Sequence, residues 1–211
     1  MAGNSERFLD EVEKYYSNKL TLYGSTPQGV DWNGENSQTI RFDQLCKVIT
    51  KNPSQFSVND IGCGYGSFLK YLLQRYKILR YFGNDISSEM ILAAQKLHCH
   101  PELVSFQVSS MPTQIADYGI SSGIFNVRLD KSDSEWCDYM HDTLDLMDRT
   151  SRMGFAFNCL TSYSDEEKKR DYLYYANPCA VFDLCKRKYS RDVALLHDYS
   201  LYEFTILVKK S

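Results

Sequence analysis

The sequence predicts an α/β fold, with a seven-stranded and mostly parallel sheet and helices on both faces. Two observations support this prediction: strand-like and helical segments alternate along the chain, and a glycine-rich turn joins a strand to a helix. The strand-like runs are 57–61, 79–84, 103–108, 118–125, 153–159, 191–197 and 201–208, and helical patterns fall at 38–51, 67–77, 87–97, 133–149 and 178–189. Strands joined by helices are expected to be parallel, because each crossover returns the chain to the same edge of the sheet.

The last two strand-like runs predict an antiparallel hairpin. Only Asp198, Tyr199 and Ser200 separate them. A parallel connection needs a crossover of about a dozen residues or more, so the final strand must turn back directly beside its predecessor.

The N-terminal region differs from the alternating part of the chain. Residues 4–20 have apolar side chains at helical spacing, whereas residues 21–37 are rich in glycine and polar residues. We expect one domain over 1–211, in which a helix and a lid-like loop (1–37) precede the sheet-forming core (38–211).

The most specific pattern is Val-Asn-Asp-Ile-Gly-Cys-Gly-Tyr-Gly at 58–66. A tight strand-to-helix turn requires residues without a Cβ atom, and such residues also let a ligand approach the main chain. The helix that follows directs its N-terminal N–H groups and positive dipole end toward the turn. The pattern therefore predicts a nucleotide-type site.

An acidic residue follows this turn at the spacing that a nucleotide site requires. Asp85 lies 19 residues after Gly66, and the ribose-binding acid of a βαβ unit follows its glycine turn by about 20 residues. A carboxylate at this position can accept hydrogen bonds from both hydroxyls of a ribose. Ser87 then has the features of a helix N-cap.

From Asp60 to Gly66 the pattern Asp-x-Gly-x-Gly-x-Gly resembles the first motif of the class I S-adenosylmethionine-dependent methyltransferases. The dinucleotide fingerprint G-x-G-x-x-G would instead require glycine at position 67, where the chain has Ser67. The resemblance implies a Rossmann-like sheet, S-adenosyl-L-methionine as methyl donor and S-adenosyl-L-homocysteine as product. It extends over residues 38–208. The N-terminal segments Tyr23-Gly24, Gly29-Val30-Asp31-Trp32-Asn33 and Arg41-Phe42 resemble a group of small bacterial methyltransferases, and membership of this group does not fix a substrate.

The resemblance also implies roles for the residues of the turn. Gly62, Cys63, Gly64 and Gly66 would hold the methionine part of the cofactor. Asp60 would anchor either the turn or the amino group of the cofactor.

Residues after the next strands complete the implied cofactor site. Asp85 would bind the ribose, and Ile86 would pack against the adenine. Ser110 and Met111 stand where the family often has an acid that contacts the adenine amino group. Gly123 matches a position where the backbone approaches the methionine amino group.

Three residues at predicted strand ends are candidates for catalysis. His197 is the main candidate for a general base, although Asp198 beside it need not orient it, because neighbouring strand residues point in opposite directions. Asn126 and Asn158 are predicted to position the acceptor by hydrogen bonds. His141, on a polar helix, is predicted to be solvated.

Two residues of the N-terminal region have open interpretations. Trp32 either covers the cofactor or packs over the end of the sheet. Arg41 either binds a carboxylate of the cofactor or the substrate, or forms a salt bridge on the helix surface.

Composition excludes several classes of function. With a net charge of −3, the sequence does not indicate a basic face, and we expect no nucleic-acid partner. Seven cysteines without a CxxC pair, together with the lack of a recognisable signal peptide, favour a cytoplasmic protein with free thiols. No apolar run is long enough to suggest a membrane partner. His98-Cys99-His100 is not predicted to bind metal, because side chains at i and i+2 do not share a helix face.

The sequence thus predicts a methyltransferase with a small-molecule acceptor. The strand-four end reads Gly-Ile-Phe-Asn (123–126) rather than Asn-Pro-Pro-Tyr, the pattern that in the wider family goes with methylation of planar amide or base nitrogens. The resemblance therefore implies either O-methylation of a small molecule or N-methylation of a flexible amine; this pattern does not decide between them, and O-methylation is our prediction. Two alternatives are a cofactor-binding sensor or subunit without activity and an NAD-dependent oxidoreductase, which Ser67 disfavours. The oligomeric state stays open.

Overall fold

Seven strands form one mixed sheet in a computed structural model that describes residues 2–49, 55–76, 80–98 and 102–210. The strands are β1 (Ser57–Ile61), β2 (Arg80–Asp85), β3 (Val104–Val108), β4 (Ala116–Ser121), β5 (Ser151–Leu160), β6 (Asp192–Leu196) and β7 (Glu203–Lys209). Their spatial order is β3-β2-β1-β4-β5-β7-β6. The first five strands pair in parallel, and β7 runs antiparallel between β5 and β6. The predicted fold, including the terminal hairpin, is confirmed.

Helices cover both faces of this sheet. They are α1 (Ala2–Tyr23), α2 (Glu35–Leu45), α3 (Ser67–Leu73), α4 (Ser88–Leu97), α5 (Asp133–Thr150) and α6 (Pro178–Lys188), with short 3-10 helices at Pro27–Val30, Cys46–Val48 and Glu166–Lys168. On one face, α2 and α3 bury Phe42, Leu45 and Leu72 against β1, β2 and β4. On the other face, α5 and α6 bury Leu144 and Val181 against β5 and β7.

The parallel strands bring five connecting segments to one edge of the sheet. Because β1 to β5 run in the same direction, the residues that follow them lie along their shared carboxyl edge. The strand β6 also ends at this edge, but β7 and β5 separate it from β4. This arrangement places any site at the β1 end of the edge far from the end of β6.

Several predicted boundaries differ from the structure. The fourth strand ends at Ser121 instead of residue 125, because Gly123 has a φ of 87° and turns the chain away from the sheet. The helix α3 ends at Leu73 instead of residue 77. The predicted starts and ends at residues 51 and 79 lie outside the described residues.

Neither a membrane span nor a metal cluster is found in the described part of the chain. None of its helices combines the length and apolarity that crossing a membrane requires. No group of three or more His, Cys, Asp or Glu side chains in these same ranges is arranged to hold a metal ion. Cys99 and His100 are outside the ranges.

The helix α5, which forms one wall of the site described below, begins with a complete capping box. The Ser132 hydroxyl accepts a hydrogen bond from the Glu135 N–H (3.3 Å), and the Glu135 carboxylate accepts one from the Ser132 N–H (3.1 Å). These bonds satisfy donors that the first turn of a helix otherwise leaves unpaired.

We expect Ser132→Ala to lower the free energy of unfolding by about 1 kcal/mol, because alanine cannot accept the capping hydrogen bond. Urea denaturation followed by circular dichroism measures this change. The matched control is Ser134→Ala, an exposed position in the first turn of the same helix. Equal loss of stability in both variants would contradict the capping role.

Candidate functional site

A cavity of about 940 Å³ opens at the carboxyl edge of the sheet. One end is formed by the glycine turn after β1 and by the residues that follow β2, β3 and β4. The other end is formed by side chains of α1 and α5. Its volume lies near the upper end of the range of about 300–1,000 Å³ that is typical of small-molecule sites, so it has room for more than one ligand part.

The glycine turn has a backbone conformation that only glycine adopts readily. Gly62, Gly64 and Gly66 have φ angles of 72°, 53° and 81°. A Cβ atom on Gly62 would lie 2.3 Å from the Ile124 side chain, so the turn also depends on close packing against the segment after β4. The turn is held to β2 because the Gly62 and Cys63 N–H groups donate to the Asn84 carbonyl (2.8 and 3.0 Å).

Asp85 fixes the same turn through its carboxylate. Its two oxygens accept hydrogen bonds from the N–H groups of Gly64 (2.8 Å) and Ser87 (2.9 Å). Burial raises the pKa of Asp85, and the backbone hydrogen bonds oppose this rise. An ionised carboxylate has about four acceptor positions, so Asp85 keeps capacity for hydroxyl groups of a ligand in the cavity.

Asp60 is a buried carboxyl group at the floor of the cavity. It is 2% exposed, lines the cavity and accepts a hydrogen bond from the Tyr81 hydroxyl. Burial raises the pKa of Asp60 to about 7; the Tyr81 hydrogen bond opposes the shift, and the Asp85 charge adds to it.

The structure brings together all but one of the residues predicted to bind a cofactor. The predicted cofactor residues that line the cavity are Asp60, Gly62, Cys63, Gly64, Asp85, Ile86, Ser110, Met111 and Gly123. Gly66 is outside the lining and serves as the N-cap of α3, where an added Cβ atom would lie 2.8 Å from the His98 ring. Gly66 therefore has a structural reason to be glycine.

The predicted catalytic residues lie outside the cavity lining. Asn126 is buried, and its side-chain oxygen accepts a hydrogen bond from the Leu160 N–H (3.2 Å). His197 is exposed after β6, where its ring neighbours those of Tyr163 and Phe204 at centroid distances of 6.0 and 6.2 Å. The order of strands explains the position of His197, because β5 and β7 separate β6 from the cavity end of the sheet.

Asn158 belongs to a buried polar network next to the cavity. Its side-chain oxygen accepts a hydrogen bond from the Gly123 N–H (2.9 Å), and its amide donates to Glu203. Glu203 in turn accepts hydrogen bonds from Arg41 Nε (2.8 and 2.9 Å) and Nη2 (2.6 Å). Glu203 was not predicted as a site residue. The feature of the sequence that could have indicated it is an acidic residue at the start of an apolar strand.

Trp32 contacts both ends of this network. The Arg41 guanidinium carbon lies 3.9 Å from the centroid of the Trp32 ring, and a Cβ atom on Gly123 would lie 2.6 Å from the same ring. Arg41 is thus paired in the interior, and the prediction of a salt bridge on the helix surface is wrong. Because Trp32 lines the cavity as well, it covers Arg41 on the cavity side.

The segment that carries Trp32 is anchored to α1. Asp31 accepts hydrogen bonds from the Tyr15 hydroxyl (2.6 Å) and from Lys19 Nζ (2.7 Å). Asp31 has a φ of 65°, a left-handed conformation that turns the chain toward the cavity.

The far wall of the cavity is aromatic and apolar. Phe8 and Tyr16 of α1 face Trp136 and Tyr139 of α5, and the Phe8 and Trp136 rings are 5.4 Å apart at an interplanar angle of 86°. Burial raises the pKa of Tyr139 to about 12 and also raises the pKa of Tyr16. Both phenols therefore stay protonated at neutral pH and can donate hydrogen bonds.

Polar groups that sequence reasoning missed line the same cavity. Asp138, His141 and Asp142 form its rim on α5, so His141 is exposed as predicted but also faces a site. Ser122 lines the cavity beside Gly123, and its hydroxyl is buried without a hydrogen-bond partner among the described residues. The sequence predicts that this face of α5 is polar. It does not predict whether the face borders bulk solvent or a cavity.

Two sequence comparisons identify relatives of the chain. A family described as "Methyltransferase domain" matches residues 59–130, the segment from β1 to just before α5. A Mycobacterium tuberculosis protein named "Putative methyltransferase Rv1506c" is 56% identical over 156 residues, which cover 74% of this chain and 94% of that protein.

Solved structures with the same fold include two methyltransferases. The N-methyltransferase NodS from Bradyrhizobium japonicum WM9, in complex with S-adenosyl-L-homocysteine, has a TM-score of 0.66 at 14% identity and covers 94% of this chain and 97% of its own. The magnesium protoporphyrin IX methyltransferase from Synechocystis PCC 6803, with bound SAH, has a TM-score of 0.62 at 14% identity and covers 83% and 84%.

We expect Asp60→Asn to remove a pH dependence of stability. The Asp60 carboxyl binds its proton more tightly in the folded state, with a pKa of about 7 against an ordinary 3.8, so its contribution is full below pH 4 and is lost as pH rises to 7. The loss is at most about 4 kcal/mol, since one pKa unit corresponds to about 1.4 kcal/mol. Urea denaturation at pH 4.5 to 7.5 compares the variant, which can still accept the Tyr81 hydrogen bond, with the wild type.

The control for this prediction is Asp145→Asn. Lys188 and Tyr189 lower the pKa of Asp145 below its ordinary value of 3.8, so this group titrates below the tested range and its removal should leave the pH dependence between pH 4.5 and 7.5 unchanged. The role of Asp60 is contradicted if the wild type and Asp60→Asn lose stability in parallel between pH 4.5 and 7.

Proposed function

The chain belongs to the class I S-adenosylmethionine-dependent methyltransferases, and we propose that it methylates a hydroxyl group of a small organic molecule held between α1 and α5. One observation carries this proposal: the cavity is continuous from the glycine turn and Asp85 to the aromatic wall of Tyr16, Trp136 and Tyr139. A nucleoside-type ligand at the first end leaves the second end for an acceptor.

The residues at the first end fit S-adenosyl-L-methionine. The glycine turn leaves room for a ligand against its main chain, and Asp85 keeps free acceptor positions for ribose hydroxyls. Ile86 and Met111 offer apolar surface to the adenine, with Ser110 beside them.

The segment after β4 and the floor of the cavity would hold the amino-acid part. The orphaned Ser122 hydroxyl and the Gly123 carbonyl can accept hydrogen bonds from an ammonium group. Asp60 lies below with Gly62 and Cys63. Burial keeps the pKa of Cys63 well above its ordinary value, so Cys63 stays a neutral thiol and does not compete as a nucleophile.

The chain would position the acceptor and exclude water, because bound S-adenosyl-L-methionine supplies the chemistry as a methyl group on a sulfonium. The Tyr16 and Tyr139 hydroxyls, protonated at neutral pH, can donate hydrogen bonds to the acceptor. Phe8 and Trp136 can pack against its apolar body. Orientation of this kind accounts for several kcal/mol of a reaction barrier.

The α5 rim is the proposed source of the general base. His141 and Asp142 line the cavity and can take the proton that a hydroxyl acceptor loses on methylation. His197, the base predicted from sequence, stays a prediction without support from the cavity, since it lies outside the lining and beyond β5 and β7.

An amine acceptor is the second candidate. Asp138, Asp142 and Asp145 line the cavity from α5, and carboxylates at the rim would attract an ammonium group before it loses a proton. The NodS structure, described as an N-methyltransferase, shares the fold. The two candidates therefore differ only in the acceptor atom.

We expect Asp85→Ala to weaken binding of S-adenosyl-L-homocysteine by about 10- to 100-fold, because charged hydrogen bonds contribute about 1.5–3 kcal/mol. Isothermal titration calorimetry measures the change. Asp138→Asn, at the other end of the cavity, is the control and should bind as the wild type does. Unchanged affinity in Asp85→Ala would remove Asp85 from the cofactor site.

For the acceptor, we expect methyl transfer from labelled S-adenosyl-L-methionine to phenols and not to aliphatic amines of similar size. Product mass and NMR identify the methylated atom. Transfer to nitrogen alone would overturn O-methylation and favour the amine candidate.

If the α5 rim supplies the base, His141→Gln or Asp142→Asn should lower the turnover of a weakly acidic phenol by about 10²- to 10⁴-fold. A more acidic phenol should recover most of that loss, because it gives up its proton more readily. Lys70→Gln on α3, outside the cavity lining, is the control. Equal losses for both phenols would show that the rim does not act as a base.

A further inference from the structure

Arg41 has hydrogen-bond donors that the fold does not use. A guanidinium group has five N–H donors. Nε and Nη2 bind Glu203, whereas Nη1 is buried and has no partner within the described ranges. Arg41 is only 5% exposed, and an unpaired donor on a buried cation is costly. Such a group beside a cavity indicates a ligand that pairs with it.

The Trp32 ring contacts Arg41 and lines the cavity, whereas Arg41 does not line it. The ring stacks on the guanidinium at 3.9 Å and fills the space next to Gly123, at the end of the cavity where the amino-acid part of the cofactor is proposed to bind. A glycine at position 123 is therefore required by the ring as well as by the turn. Movement of Trp32 would expose Arg41 to the cavity beside Gly123, which already lines it.

A carboxylate ligand at the glycine-turn end of the cavity would be stabilised by a cation. The basic side chains among the described lining residues are Lys131, His141 and Lys188, and all three lie on or near α5 and α6. At the glycine-turn end the titratable groups include the carboxyls Asp60 and Asp85, which would repel a carboxylate when ionised. Arg41, in contact with Trp32, is a basic group next to this end among the described residues.

We propose that Arg41 Nη1 binds the carboxylate of the amino-acid part of the methyl donor, and that Trp32 leaves its place between Arg41 and Gly123 when that part binds. The inference rests on the proposed function, because it takes S-adenosyl-L-methionine as the donor.

Glu203 and Asn158 are positioning residues in this arrangement. Glu203 holds Nε and Nη2 and so directs the remaining donors away from itself, and Asn158 links Glu203 to the Gly123 N–H. The same network thus orients the proposed carboxylate site and the loop that faces it.

The test compares two ligands that differ only in the amino-acid part. S-adenosyl-L-homocysteine carries it, and 5′-methylthioadenosine has the same nucleoside and thioether without it. Arg41→Lys keeps a charge for Glu203 but lacks Nη1. We expect its affinity for S-adenosyl-L-homocysteine to fall by about 10- to 100-fold, and its affinity for 5′-methylthioadenosine to change by less than about twofold.

Fluorescence provides a second readout, because the chain has two tryptophans and only Trp32 is proposed to move. S-adenosyl-L-homocysteine should change the emission of the wild type, and 5′-methylthioadenosine should change it much less. Trp32→Phe should abolish the difference between the two ligands.

Two further variants keep the test decisive. If Arg41→Lys does not fold, the double variant Arg41→Met/Glu203→Gln replaces the buried ion pair with neutral groups and should show the same selective loss. Arg75→Lys is the matched control, because Arg75 stacks on Tyr71 in a similar way (3.5 Å) but lies outside the cavity.

The results distinguish a failure of the Arg41–carboxylate contact from a failure of cofactor binding itself. Equal losses for both ligands would show that Arg41 acts only through the fold, and unchanged affinity for S-adenosyl-L-homocysteine would also overturn the proposal. If the wild type binds neither ligand, the cofactor premise itself fails.

Discussion

The buried ion pair between Arg41 and Glu203 is the constraint on which the site depends. It joins α2 to the start of β7, residues that are 162 positions apart in the chain. Removing one partner of such a pair leaves an uncompensated charge in the interior, which typically costs about 3–5 kcal/mol. Through Asn158 the pair fixes the Gly123 loop, and through stacking it holds Trp32. One interaction thus sets the cavity wall from two sides.

The two ends of the cavity have different physical character. At the glycine turn, main-chain donors and the carboxylates of Asp60 and Asp85 are held in a rigid frame by β1 and β2. At the α1 and α5 end, aromatic rings pack edge to face and the polar groups lie at the rim. The rigid glycine-turn end would bind the methyl donor, and the α1 and α5 end would bind the acceptor. This division is consistent with a family whose members share the methyl donor and differ in the acceptor.

The order of the elements was predictable because it depends on local patterns. Alternating apolar runs indicated seven strands, and the short gap after residue 197 indicated the final hairpin. Boundaries were less predictable, as in the fourth strand, because Ile124 and Phe125 are apolar whether they lie in a sheet or pack against a neighbouring helix. Phe125 is fully buried in the α5 and α6 core, and nothing in its identity distinguishes the two environments.

The sequence by itself determined the glycine turn, Asp85 and the fold, because a strand, a turn and a helix within about 30 residues carry their own spacing. Only the tertiary structure decided which distant residues meet at the cavity. The sequence favoured His197 over His141 as a base, yet strand order places His197 beyond β7, and His141 is the one that lines the cavity. Arg41 and Glu203 come into contact only in the folded structure. They are 162 residues apart, and a contact over such a distance produces no periodic pattern in the sequence.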